Sequence, residues 1–121
     1  QDLVGIVRQE DEMVRAVEGV EKLWERAKRV HVEGNREFNP GWHTALDLRN
    51  LLTVSEAIAR AGLERKESRG GHFREDYPDK DPEFAKFNIV LRKGGDGSMQ
   101  VGREQIPPLP PELAQIIEEM K

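Results

Sequence analysis

The chain has 121 residues, a net charge of −4, 36% apolar and 35% charged residues, and no cysteine. That length suits one domain around one core, not a cofactor domain joined to a substrate domain. The missing thiols exclude disulfides, thiolate zinc sites and cysteine nucleophiles, the acidic balance gives no global pull toward nucleic acid or anionic lipid, and no apolar run approaches the ~20 residues of a membrane span.

The chain opens at Gln1, in QDLVGIVR, with neither a methionine nor a signal peptide, and this start reads as a cut. Leu3 to Val7 is apolar and short, and is expected as the remnant of a third helical member. From Asp11 to Val32, Met13, Val17, Val20, Trp24 and Ala27 recur at spacings of three and four, the stripe of an amphipathic helix. Glu18 with Lys22 and Glu25 with Arg29 stand four apart on its wet side, in the favourable order. Gly34-Asn35 should stop this helix, and Pro40-Gly41 marks a turn. A second helix follows from about Gly41 to Lys66. Leu48, Leu51, Leu52, Val54, Ala57, Ile58, Ala61 and Leu63 give it a wide apolar face, while Arg49, Thr53, Glu56, Arg60 and Glu64 mark the wet side. So wide a stripe asks for neighbours on more than one side, which points to a bundle of three helices.

Beyond Gly70-Gly71 the helical pattern stops. Asp76 to Glu83 is a turn-rich connector. Phe87–Arg92 and Ser98–Arg103 alternate like strands around Lys93-Gly94-Gly95-Asp96-Gly97, a hairpin turn. Ile106 to Pro111 is polyproline-like, and Glu112 to Met120 reads as a short helix with Leu113, Ile116, Ile117 and Met120 on one face. The chain therefore divides into a helical bundle over residues 1–75 and a tail over 76–121, with the hairpin at about 86–104 and the terminal helix at about 111–120.

Each catalytic class fails on the residues. Ser68 lies near His72 but has no G-x-S-x-G elbow. His31, His43 and His72 are scattered without metal-ligand spacing. Asp79 to Glu83 begins like a calcium loop, yet Phe84 stands where the glycine should be and Val90 where the bidentate glutamate should be. Gly94-Gly95-Asp96-Gly97 lacks the following lysine, serine and helix of a phosphate cradle, and no dinucleotide fingerprint occurs. Arg65, Lys66, Arg69 and Arg74 are balanced by Glu64, Glu67, Glu75 and Asp76, so no phosphate-tracking field survives. Pro107-x-x-Pro110 is first a linker and only second a ligand for an SH3-type groove.

What remains is residues 67–78, ESRGGHFREDYP. Arg69 and Arg74 can each fork onto a carboxylate, with Glu67, Glu75 and Asp76 at hand. Gly70-Gly71 permits a sharp turn and Tyr77-Pro78 an extended exit. The segment reads either as an ion-paired corner at a helix end or as a docking corner for another domain. The candidate docking residues are Glu67, Arg69, His72, Arg74, Glu75, Asp76 and Tyr77.

This segment resembles the E-S-R-G-x-H-x-R-E-D-Y/F-P motif of the succinate dehydrogenase/fumarate reductase flavoprotein subunit, in that subunit's C-terminal helical domain. QDLVGIVR and the stretch Leu46-Asp47-Leu48-Arg49-Asn50-Leu51-Leu52 are similar to neighbouring segments of the family. L-Aspartate oxidase carries a similar segment, and adenylylsulfate reductase is a more distant relative. The resemblance implies a mainly α fold: a three-helix, spectrin-repeat-like antiparallel bundle with its first helix truncated, then an extended tail with a hairpin and a short helix.

It also implies a parent subunit that uses FAD to interconvert succinate and fumarate, in electron transport and the tricarboxylic acid cycle. That subunit passes electrons to an iron–sulfur subunit held on the inner, cytoplasmic face of the membrane by an anchor. The family's flavin and substrate motifs lie in its FAD-binding and capping domains and have no counterpart here. No catalytic, cofactor-binding or metal residue is therefore assigned, and FAD is expected in the parent only. The expected role is structural and docking, with the FAD-binding and capping domains and the iron–sulfur subunit as partners. No nucleic acid partner is expected, and self-association through the uncovered face of the second helix is. The other readings are the C-terminal domain of L-aspartate oxidase and a free-standing helical adaptor binding through Leu113–Met120 or the proline segment.

Overall fold

In the computed structural model, which describes residues 2–120, a short strand β1 (Val7–Arg8) leads into helix α1 (Glu10–Ala27) and then helix α2 (Pro40–Glu64). Strand β2 (Phe73–Arg74), a 3-10 turn (Phe84–Lys86), strands β3 (Phe87–Lys93) and β4 (Met99–Gln105) and helix α3 (Pro111–Glu119) complete the chain. The mainly helical architecture, the hairpin and the terminal helix agree with the expectation.

Helix α1 carries Glu10, Asp11 and Glu12 in its first turn and Arg26 in its last, each complementing the helix dipole. It ends at Ala27, five residues before the expected Val32. The N–H groups of Arg29 and Val30 bond only three residues back, to Arg26 and Ala27. The β-branched Val30 and Val32 that follow favour extended chain. Helix α2 starts under a cap: the Asn39 side chain accepts from the Gly41 N–H at 3.0 Å, and Pro40 occupies the first turn.

The two helices run antiparallel, with Met13 beside Gly62 and Trp24 beside Glu56. Their buried apolar residues are Met13, Ala16, Val17, Leu52 and Ala59. Leu3 and Val4 pack on the cluster formed by Ala16, Val17 and Ala59. The segment 3–7 does cover the bundle, but it is not helical: bends lead into β1, which pairs in parallel with β2 through Val7–Phe73 and Arg8–Arg74. Gly5 within it makes a helical turn costly, and Gly5 O instead accepts from Arg8 Nε at 2.8 Å.

Glu56, expected on the wet side, is buried. Its carboxylate accepts from Trp24 Nε1 at 3.0 Å and from Arg60 Nε at 2.7 Å. Arg60 also reaches Glu21. Glu25 pairs with Lys28 rather than with the expected Arg29. Leu51, Val54 and Ile58 form an exposed apolar row on α2, about half or more of each open to solvent.

Strands β3 and β4 pair antiparallel from Phe87–Gln105 to Lys93–Met99. Asp96 Oδ1 accepts from the N–H and hydroxyl of Ser98, and Gly97 takes a positive φ of 85°, which together close the turn. The hairpin is tied to the end of α2: Arg103 pairs with Glu64 at 2.7 Å and lies over the rings of Phe84 and Phe87. Helix α3 is exposed along its length, with its apolar face of Leu113, Ile116, Ile117 and Met120 open.

Candidate functional site

Residues 65–81 form a corner that closes both helices at one end of the bundle. It begins one residue after α2, where Arg65 turns extended. Arg69 and His72 exchange two backbone hydrogen bonds, 2.8 and 3.1 Å, around the Gly70-Gly71 tip. Gly70 has φ 60°, the left-handed region that a side chain disfavours. A positive φ at the first tip residue alone is the signature of a type II′ turn.

Two ion-pair centres occupy the corner, and each uses one of the forks foreseen from the sequence. In the first, Arg69 Nε and Nη2 meet Glu67 Oε1 and Oε2 at 2.8 and 3.0 Å. Arg65 Nη1 adds a bond of 2.5 Å and the Asp81 N–H one of 2.9 Å. Glu67 is completely buried. The Arg69 fork, helped by the Asp81 N–H and Arg65, holds its carboxyl well down, at about 2, against the cost of burial.

In the second, Arg74 Nε and Nη2 meet Asp76 Oδ1 and Oδ2 at 2.6 and 2.5 Å. Arg74 is also completely buried, and its remaining donors are spent on the two helix ends. Nη1 reaches the carbonyls of Gly62, Leu63 and Arg65 at 3.2–3.4 Å, where α2 leaves acceptors unsatisfied. Nη2 reaches Glu10 at 3.1 Å, in the first turn of α1. Asp76 in turn accepts from the Glu10 N–H at 3.1 Å, doing the work of an N-cap from the bend that follows β2. One guanidinium–carboxylate pair thus caps the C-terminus of α2 and the N-terminus of α1, with charges of the favourable sign at both. The Asp76 carboxyl is held low, mainly by Arg74.

Ser68 Oγ accepts from the Arg74 N–H at 2.8 Å and donates to the Tyr77 carbonyl at 2.8 Å, which makes it a bracket inside the corner and not a nucleophile. The Tyr77 ring lies 4.9 Å from the Arg74 guanidinium. Glu75 uses neither arginine: it bonds the Gln9 amide, while its N–H donates to the Arg8 carbonyl. His72 bridges Arg8 and the Arg65 carbonyl.

All seven singled-out residues therefore share one corner. The inner ones are Glu67, Arg74 and the half-buried His72; Glu75 is exposed, and Asp76 and Tyr77 are about a third open to solvent. The reading from sequence missed Arg8, Glu10, Arg65 and Asp81. Arg8 and Glu10 lie 64 residues away from the His72 and Arg74 that they meet, and carry no local signal. Gly62 was also missed: a Cβ there would meet Met13 Sδ at 3.2 Å, so the glycine permits the close helix approach beneath the corner.

These residues do not fit a flavin site. No glycine-rich dinucleotide turn opens a helix. Every buried polar side-chain atom among the described residues already has a partner, so none is left aimed at a ligand phosphate. Nor, among the described residues, do three or more His, Asp or Glu converge as metal ligands. The arrangement ties the two helix ends to the turn through hydrogen-bonded ion pairs.

A family profile described as "Fumarate reductase flavoprotein C-term" matches residues 1–114. The chain is 34% identical over 103 residues to a fumarate reductase flavoprotein subunit of Mycobacterium tuberculosis, a match covering 84% of this chain and 18% of that protein. It is 31% identical over 107 residues to an L-aspartate oxidase of Streptomyces coelicolor, covering 88% and 18% respectively. Among solved structures, Mycobacterium smegmatis Sdh1 in complex with UQ1 superposes with a TM-score of 0.89 at 44% identity, over 98% of this chain and 20% of that one. The chain spans about a fifth of the length of these relatives.

Proposed function

Because this chain belongs to the fumarate reductase flavoprotein C-terminal family, we propose that it is the structural and docking domain of a flavoprotein subunit that interconverts succinate and fumarate, and that it performs no redox chemistry by itself. The observation that carries this reading is the buried Arg74 guanidinium and its pairing with Asp76. It ties the ends of two helices together, a structural task, which supports a structural reading. Its partners are the FAD-binding and capping domains of the same subunit and the iron–sulfur subunit. The membrane anchor is reached only through them, at the inner face of the membrane. Among the described residues no helix is long and apolar enough to cross a membrane.

Docking runs through the corner. Glu67, His72 and Arg74 support it from within, and Arg69, Glu75, Asp76 and Tyr77 present its outer edge. A rigid edge suits recognition because little side-chain entropy remains to be lost on binding. The isolated chain self-associates through the Leu51–Val54–Ile58 row, since an exposed apolar surface of that kind marks an interaction face.

The test is direct. The purified chain is mixed with FAD, and with succinate and an artificial electron acceptor. It retains no stoichiometric flavin and shows no turnover, but it binds the separately expressed remainder of the subunit. Glu75→Arg combined with Tyr77→Ala weakens that binding while the fold persists. Tight stoichiometric FAD binding, or dehydrogenase activity of the chain alone, overturns the reading.

A further inference from the structure

His72 is held at both ring nitrogens. Nδ1 lies 2.8 Å from Arg8 Nη1 on β1, and Nε2 lies 3.1 Å from the Arg65 carbonyl beyond α2. A guanidinium cannot accept a hydrogen bond, so Nδ1 accepts. A carbonyl cannot donate, so Nε2 carries the proton and donates. The two bonds together require the neutral Nε2–H tautomer.

We propose that His72 is a proton-operated latch that closes residues 3–8 onto the corner when neutral and releases them when protonated. Protonation turns Nδ1 into a donor facing the Arg8 guanidinium, so the bond between the two strands becomes a repulsion. The charged groups around the ring leave the imidazolium no refuge. Arg8 approaches from β1, Arg65 from the end of α2 and Arg74 from β2. The carboxylates packed about the corner are committed elsewhere. Glu67 binds Arg65 and Arg69, Asp76 binds Arg74, Glu10 binds Arg74 and Lys66, and Glu75 binds Gln9.

Burial is the first cause that lowers the His72 pKa below its ordinary value, and the three arginines add to it, against the pull of the Arg65 carbonyl. A histidine with a depressed folded-state pKa contributes stability that is present above its ordinary 6.5 and lost as pH falls through the folded value. The latch is therefore closed at neutral pH and opens in acid. What it releases matters: Leu3 and Val4 sit on the Ala16–Val17–Ala59 cluster, so opening bares apolar surface of the helix pair.

The whole chain is titrated by NMR from about pH 7.5 to pH 5.0, a window above the ordinary carboxylate range. Ring 15N shifts report a neutral Nε2–H His72 at the upper end. The Glu75 N–H, which donates to Arg8 at 2.9 Å, loses roughly tenfold of its exchange protection as His72 protonates, relative to amides in the middle of α2. His72→Gln keeps an amide oxygen for Arg8 and an amide N–H for Arg65, so it keeps the protection and abolishes its pH dependence. A cationic His72 at neutral pH, Glu75 protection unmoved by the titration, or an unchanged pH dependence in His72→Gln each overturns the latch.

Discussion

The Glu67 carboxylate lies between two guanidiniums, 2.5 Å from Arg65 Nη1 and 2.8 Å from Arg69 Nε, and has no exposed surface. Two buried or half-buried cations thus share one anion. Glu67→Gln removes the charge and keeps the shape. It removes the close ion-pair partner of both guanidiniums, leaving Arg69 only the more distant Asp81, and costs about 3 kcal/mol in urea unfolding. The folded pKa is depressed to about 2 from an ordinary 4.5. Glu67 therefore stabilises above pH 4.5 and loses that contribution as pH falls toward 2. Acid unfolding of wild type is steep in that window, and the Gln variant is flatter there.

Arg74→Lys separates the fork from the charge. A lysine ammonium can pair with Asp76 but cannot also reach three carbonyls of α2 and Glu10. The expected loss is about 2 kcal/mol, below the ~3–5 kcal/mol of breaking a fully buried pair because Asp76 is partly open to water. Amide exchange rises first at Gly62–Arg65 and at Glu10, the two helix ends that Arg74 joins.

Trp24→Phe keeps the ring between the helices and deletes the N–H to Glu56. One oxygen of the buried carboxylate is left unsatisfied, at a cost of about 1–3 kcal/mol. Glu56→Leu in the same background regains part of it, because the orphaned acceptor is gone; a double-mutant cycle measures the coupling.

The two tip glycines separate by backbone conformation. Gly70 has φ 60° and Gly71 does not have a positive φ, while neither would push a Cβ into a neighbour. Gly70→Ala costs about 1–2 kcal/mol through the left-handed backbone alone. Gly71→Ala is close to neutral.

Ile58→Glu and Leu51→Lys place charges on the exposed row of α2. Light scattering of the wild-type chain shows mass rising with concentration, and either variant holds the monomer mass. A wild-type monomer at high concentration refutes the assignment of that row as a contact face.

Helix positions, the hairpin and the terminal helix were legible because each rests on a local repeat: three-to-four spacing in α1, α2 and α3, and alternation around the Asp96-Gly97 turn. The early end of α1 was obscured by Val30 and Val32, which continue the apolar count while favouring extended chain. The burial of Glu56 was obscured because its partner Trp24 lies 32 residues away. Nothing local distinguishes a wet glutamate from one that a distant indole will satisfy.

The sequence by itself determined that two arginines and several carboxylates crowd a glycine turn at the end of a helix. It also shows that the G-x-S-x-G, H-E-x-x-H and glycine-rich phosphate spacings do not occur in it. Only the tertiary structure decided how the charges were shared: Glu67 to Arg65 and Arg69, Asp76 to Arg74, Glu75 to Gln9, and His72 to Arg8. Hydrogen-bonded ion pairs are selected within about 3 Å. It is the antiparallel packing of α1 on α2, with Met13 against Gly62, that carries Arg8 and Glu10 across 64 residues to within that distance.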